Sequence, residues 1–244
     1  MASSNLAKFI AWDQGQSRND QEAVGMCRPM PESASCPKIS SVVHEMAESF
    51  GRAIDAKDAF TKYHSDEVAV ISHLVALAMG LPTAEADVIH IAGHLHDIGK
   101  IGVPDAVLQK PGPLTSLQWD RIKEHPRLGA AILKPVLAIV EMNIPALVLC
   151  HHERFDGKGY PLGLRGNAIP LGSRIIAVAD TLSAMTQGRP YRSASTFDQA
   201  CAEIEACSGS QFDPKVVAAL VSVESKAKEH LLQLKNFETG SYAG

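Results

Sequence analysis

The stretch IAGHLHDIGKIG, residues 91–102, closes an apolar helical run on the pair His96–Asp97 and then breaks at Gly99 and Gly102. A charged Asp97 in apolar surroundings is expensive unless it is paired or metal-bound. Neutral imidazole and carboxylate are the usual protein ligands for Fe, Mn, Ni and Zn. A helix C-cap pair beside Gly99 accounts for the same dipeptide, so on its own it leaves both readings open.

Outward from this stretch the pattern is helical almost throughout. Apolar residues recur at helical spacing, and there is little sustained period-two alternation, so the sequence predicts an all-α fold. The expected helices cover 41–55, 60–79, 84–97, 115–123, 127–141, 144–153, 172–187, 196–207 and 213–234. Gly80 and Pro82 separate the second and third. Pro126 and Pro214 suit first helical turns, and Thr196 suits an N-cap. Gly99, Gly102, Pro104, Pro111, Gly112 and Pro113 mark an irregular connection. Residues 1–40 are polar and rich in Gly, Ser and Pro, which suggests a flexible leader. Residues 236–244 read as a tail.

Composition narrows the function. The chain has 244 residues, is 45% hydrophobic and carries a formal net charge of −4. It can therefore bury a substantial core, and it has no whole-chain field to attract a nucleic-acid polymer or an anionic membrane. Any anion site must be local. Five cysteines without a C-x-x-C pair argue against a disulfide framework and against a thiolate zinc site. The expected compartment is the reducing cytoplasm. No signal peptide or bilayer-spanning run is evident.

Ten histidines are distributed unevenly. His64 opens the amphipathic-looking YHSDEVAVISHLVALAMG, residues 63–80. His125 sits at a helix start, and His151 and His152 are adjacent in CHHERFDGKGYPLGLRGNAIP, residues 150–170. On a helix these neighbours would point about 100° apart. Asp180 lies in LGSRIIAVADTLSAMTQ on a face with Ala177, Ser183 and Ala184, where small neighbours leave room for something bulky.

HDIGK, HHERFDGKGYP and RPYR, in that order, resemble the HD-GYP family of the HD phosphohydrolase superfamily, over about residues 41–220. The resemblance implies an HD-domain helical bundle with additional C-terminal helices, with the catalytic domain over 41–235. It implies a metal-dependent phosphodiesterase that cuts cyclic di-GMP to pGpG, and possible further cleavage to GMP. Another cyclic dinucleotide or nucleotide as substrate, and a weakly catalytic binding module, are the alternatives. Position by position it implies that His64, His96, Asp97 and Asp180 surround one metal, and Asp97, His125, His151 and His152 a second. Fe or Mn is expected, with Ni or Zn as alternatives. Three-metal members carry a glutamate four residues before the first ligand histidine. Phe60 stands there, so two divalent ions are expected.

Two such metals acidify a shared water and offset charge on phosphate oxygens. Asp97 and Lys100 are the expected catalytic residues, although Lys100 could equally neutralise a helix C-terminus. Gly159, Tyr160, Pro161, Arg189 and Arg192 are the expected substrate residues, and Lys100, Lys158, Arg189 and Arg192 would form a basic lip. Glu153 would orient a ligand histidine or pair with an arginine. The family usually has an aspartate where this chain has Ser183, which bears on turnover. Family members often carry a receiver or sensory domain, so a separate regulatory or diguanylate-cyclase partner is expected. His44, His73, His90, His94 and His230 belong to no motif and read as ordinary helical histidines.

Overall fold

The computed structural model describes residues 41–58, 63–187 and 194–240, with side chains through 234. Twelve α-helices are present among them: α1 (Ser41–Lys57), α2 (His64–Ala78), α3 (Thr83–Leu95), α4 (Asp105–Leu108), α5 (Ser116–Lys123), α6 (His125–Leu133), α7 (Leu137–Glu141), α8 (Ile144–Leu149), α9 (Leu171–Thr186), α10 (Phe197–Ala206), α11 (Pro214–Ser222) and α12 (Glu224–Gly240). Two short 3-10 turns, Ile98–Gly102 and Gly166–Ala168, complete the order. The all-α expectation holds, with no strand among the described residues and one isolated bridge between Ser208 and Phe212. No helix among them is long and apolar enough to cross a membrane.

The bundle is organised around α2, which packs on α3, α9, α1, α11 and α12. The sequence predicts an amphipathic helix here, but ten of its 15 residues are buried, on every side. A helix enclosed all round must satisfy its polar residues internally. Its first turn does so with help from α1. Tyr63 precedes it in a left-handed conformation and supplies no side-chain cap. Instead Asp55 accepts from the Ser65 backbone N–H at 3.0 Å and from Ser65 Oγ at 2.8 Å. This fixes the helix start, and with it His64.

Local caps formed where their residues stand. Thr196 and Gln199 form a reciprocal capping box at α10, as do Thr115 and Gln118 at α5. Asp213 caps α11 with Pro214 in its first turn. Two expected helices are divided, and two end early. The span 127–141 breaks after Leu133, beside Pro135, and 213–234 breaks at Val223. Helix α3 ends at Leu95, and the Lys100 N–H closes onto the Asp97 carbonyl at 2.8 Å. Helix α8 ends at Leu149, and the Glu153 N–H closes onto the Cys150 carbonyl at 3.0 Å. Both early stops fall at the histidine motifs. Turn geometry lets neighbouring side chains converge where a helix would spread them.

Gly99 shows how tightly the first turn is seated. A Cβ there would lie 1.9 Å from the His125 carbonyl oxygen, so only glycine lets this turn touch α6.

Candidate metal centre

The seven residues singled out by the motifs come from five segments and meet in one buried place. Three imidazoles enter it in the same orientation. His96 Nδ1 lies 2.7 Å from the Gly93 carbonyl, His125 Nδ1 2.7 Å from that of Ile122, and His151 Nδ1 2.6 Å from that of Val148. In each case the carbonyl belongs to the residue three positions earlier. A carbonyl can only accept, so Nδ1 carries the proton and the Nε2 lone pair faces inward. His64 reaches the same state by another route. Its Nδ1 lies 2.9 Å from Ser183 Oγ, whose own proton is donated to Glu67 Oε2 at 2.6 Å. Gln187 also donates to Glu67 Oε2, at 2.9 Å.

The Nε2 atoms then meet in pairs, His64 with His96 at 3.3 Å and His125 with His151 at 3.2 Å. Asp97 lies between the pairs. Its Oδ2 is 3.3 Å from His96 Nε2 and 3.8 Å from His64 Nε2, and its Oδ1 is 3.2 Å from His125 Nε2. Asp180 Oδ1 is 3.2 Å from His64 Nε2. The His152 ring is 4.0 Å from that of His151 and 4.9 Å from that of His125, between centroids. The donor atoms of His64, His96 and Asp97 lie within 4.8 Å of one another, as do those of His125, His151 and His152.

Inward-facing lone pairs at such distances repel. A cation between them turns that repulsion into coordination, so the donor set fits a metal. The charges around Asp97 act differently on its two sides. Burial opposes charge on His96, yet the Asp97 and Asp180 carboxylates raise it to about 9. Burial pushes His125 down to about 3 and His151 well below the ordinary histidine value, each helped by the His152 ring, while His152 itself is lowered chiefly by burial. Without a cation there, His96 takes a second proton on Nε2, whereas on the other side of Asp97 the imidazoles are neutral.

Lys100 is partly buried and turned into the site, not solvated at a helix end. Its Nζ is 2.7 Å from Asp97 Oδ2 and 3.2 Å from Asp58 Oδ2. Burial opposes its charge, but these two carboxylates raise it above the ordinary lysine value. Lys158 is exposed, whereas Lys100 is held between Asp97 and Asp58. Arg189, Arg192 and Phe60 lie outside the described residues.

Gly159 brings its loop against the site. A Cβ would meet the Arg154 nitrogen at 2.3 Å and the His152 carbonyl oxygen at 2.6 Å. The Tyr160 N–H donates to that carbonyl at 3.2 Å, and the Tyr160 ring lies 4.8 Å from the His152 ring. The peptide between Tyr160 and Pro161 is cis. The Pro161 carbonyl accepts from Arg127 at 3.2 Å. Glu153 interacts electrostatically with Arg127, but its hydrogen bonds go to the loop backbone. It accepts from the Leu162 and Leu164 N–H groups at 2.6 and 3.0 Å, because the loop curls its amides around this buried carboxylate. A cleft of about 840 Å³ opens beside Asp180, lined among others by Thr181, Met185, Gln199, Glu203 and Gln211.

Sequence reasoning missed Glu67, Asp58 and Gln187. Glu67 had a signal, since it lies three residues after His64 and therefore on the same helix face. Asp58 stands beyond the end of α1 and had none.

Comparisons with known proteins agree with this geometry. A family described as HD domain matches residues 48–216. The cyclic di-GMP phosphodiesterase response regulator RpfG of Xanthomonas campestris pv. campestris is 41% identical over 188 residues, covering 77% of this chain and 50% of that protein. A cyclic di-GMP phosphodiesterase of Thermotoga maritima is 36% identical, covering 82% and 54%. The 3'3'-cGAMP-specific phosphodiesterase 3 of Vibrio cholerae is 34% identical, covering 84% and 44%. The chain thus spans about half the length of these curated relatives. In fold it is similar to an HDG"Y"P protein from Bdellovibrio bacteriovorus, with a TM-score of 0.58 at 16% identity over 85% of this chain and 68% of that one. The chain belongs to the HD-domain family.

Two predictions follow from the site's electrostatics. The raised His96 holds a proton that the unfolded chain has already released. Its stabilising contribution is therefore complete below pH 6.5 and is lost as pH rises through about 9. Thermal melts in chelator should show Tm falling across that window, with a flatter profile in His96→Asn. A flat wild-type profile would contradict the assignment. Second, Ser183→Asp would set a second carboxylate against Glu67. It should lower Tm at pH 7 more than at pH 5, and Ser183→Asp/Glu67→Gln should recover most of the loss, because like charges at one buried site cannot both ionise cheaply. Equal losses at both pH values would refute this.

Proposed function

We propose that this chain is a metal-dependent phosphodiesterase that hydrolyses cyclic di-GMP to pGpG. The observation that carries the proposal is the single carboxylate of Asp97 facing two groups of inward-turned imidazoles, with its two oxygens assigned to opposite sides. His64, His96, Asp97 and Asp180 would hold one divalent ion, and Asp97, His125, His151 and His152 the other. Imidazole mixed with carboxylate suits Fe or Mn and also admits Ni or Zn. Bound there, the ions supply Lewis acidity toward a phosphate group and bring the ionisation of water near neutral pH.

The chain's own groups do the rest. Lys100, cationic and fixed against Asp97, balances the carboxylate charge and can meet a non-bridging phosphate oxygen. The carbonyls behind His96, His125 and His151 keep each ring from turning, so the site is preorganised. The Gly159–Pro161 loop forms one wall, where the partly exposed Tyr160 offers a ring face to a base. The cleft beyond Asp180 has room for the second nucleotide of a cyclic dinucleotide.

A second substrate is supported by a specific finding. Relatives named as 3'3'-cGAMP-specific phosphodiesterases are 34% to 37% identical to this chain. The two substrates share both phosphates and differ in one base.

Anaerobically purified protein loaded with Mn or Fe should convert cyclic di-GMP to pGpG. Asp97→Asn and His96→Ala should each lower kcat by roughly 10²-fold or more, the scale expected when a preorganised charge-stabilising group is removed. Cyclic di-GMP and 3'3'-cGAMP assayed side by side decide the base. Metal-loaded protein that leaves both intact would overturn the proposal.

A further inference from the structure

Three histidines outside every motif meet in a second cluster. His90 and His94 stand one turn apart on α3, and their Nε2 atoms are 3.3 Å apart. His44 of α1 stacks on His90 with ring centroids 5.0 Å apart and planes within 3°. It meets His94 edge-on at 5.8 Å. One donor nitrogen from each of the three rings lies within 4.8 Å of the others.

The surroundings bias these rings toward coordination. His94 Nδ1 faces Asp66 Oδ1 at 3.4 Å, and Asp66 Oδ2 is held by Arg52 Nε at 3.2 Å. A carboxylate cannot donate, so a proton on His94 belongs on Nδ1 and its Nε2 presents a lone pair toward His90. An imidazole backed by a carboxylate is the arrangement that orients and strengthens a histidine ligand. The Nε2 atoms of His90 and His94 face each other at 3.3 Å, a spacing at which two lone pairs must share a proton or a cation.

We propose that His44, His90 and His94 form a Zn²⁺ site separate from the centre at Asp97, with Asp66 as the carboxylate behind His94. Three neutral imidazoles with room for a fourth ligand are a zinc donor set, and they contain none of the oxygen ligands that Mg²⁺ or Ca²⁺ would require. The ion would clip α1 to α3 one turn before α3 delivers His96 and Asp97. Its role is to fix the helix that carries those two side chains, without touching substrate.

The test counts ions and needs no substrate, so its outcome is independent of the phosphodiesterase reading. The full chain is stripped with chelator, reloaded with Zn²⁺, desalted and assayed for bound zinc. His44→Ala, a change at a half-buried ring, should bind one equivalent fewer than wild type. It should match wild-type Tm in chelator but gain less Tm from added Zn²⁺, because only the wild type has that extra ion to bind its folded state. His90→Gln should lose the same single equivalent, and the double variant should lose no more than either. Wild-type zinc content and affinity in both single variants would overturn the site. So would a His44→Ala protein whose Tm gain from Zn²⁺ equals that of wild type.

Discussion

Everything at the centre depends on one carboxylate kept charged where charge is costly. Asp97 is 4% exposed, and burial alone would drive it toward neutrality. Lys100 at 2.7 Å and the imidazoles of His96 and His125 reverse that, holding it well below the usual carboxylate range. Lys100 is only slightly exposed and leans on Asp58. A buried ion pair of this kind is not a cheap source of stability, since removing either partner strands the other charge. Its value lies in position. With the turn after α3 pinned by Gly99 against α6, the two oxygens of Asp97 cannot both face the same group of histidines.

The first turn of α2 extends this logic. His64, Ser65, Asp66 and Glu67 are consecutive and all buried, and each has its own task. His64 faces Asp180 and Asp97. Ser65 is tied to Asp55. Asp66 backs the second histidine cluster, and Glu67 holds Ser183 against His64. A helix start can carry four such residues because successive side chains leave it in different directions. The catalytic proposal and the zinc proposal therefore share a helical turn while using different faces of it.

Much of this was legible in the sequence. The helical period gave the fold class, and caps such as Thr196 and Asp213 stand where local chemistry put them. The motif order pointed to seven residues that do converge. What was not legible depends on tertiary contact. Residues 144–153 read as one helix because propensity continues through Cys150, whereas packing His151 against His152 requires a turn. Glu153 reads as a partner for histidine or arginine, but the loop that follows it supplies backbone amides at closer range. His44, His90 and His94 look unrelated because 46 positions separate the first two, and only the packing of α1 on α3 joins them. Ser183 reads as a lost carboxylate, whereas in the fold its hydroxyl passes the link from His64 to a carboxylate on α2.

The most direct test of the central claim is an anomalous-diffraction map from crystals of the full chain grown with Mn²⁺. The account predicts two peaks roughly 4 Å apart, the spacing usual in two-metal sites, each in contact with a different oxygen of Asp97. A single peak there, or two peaks of which Asp97 touches only one, would contradict it.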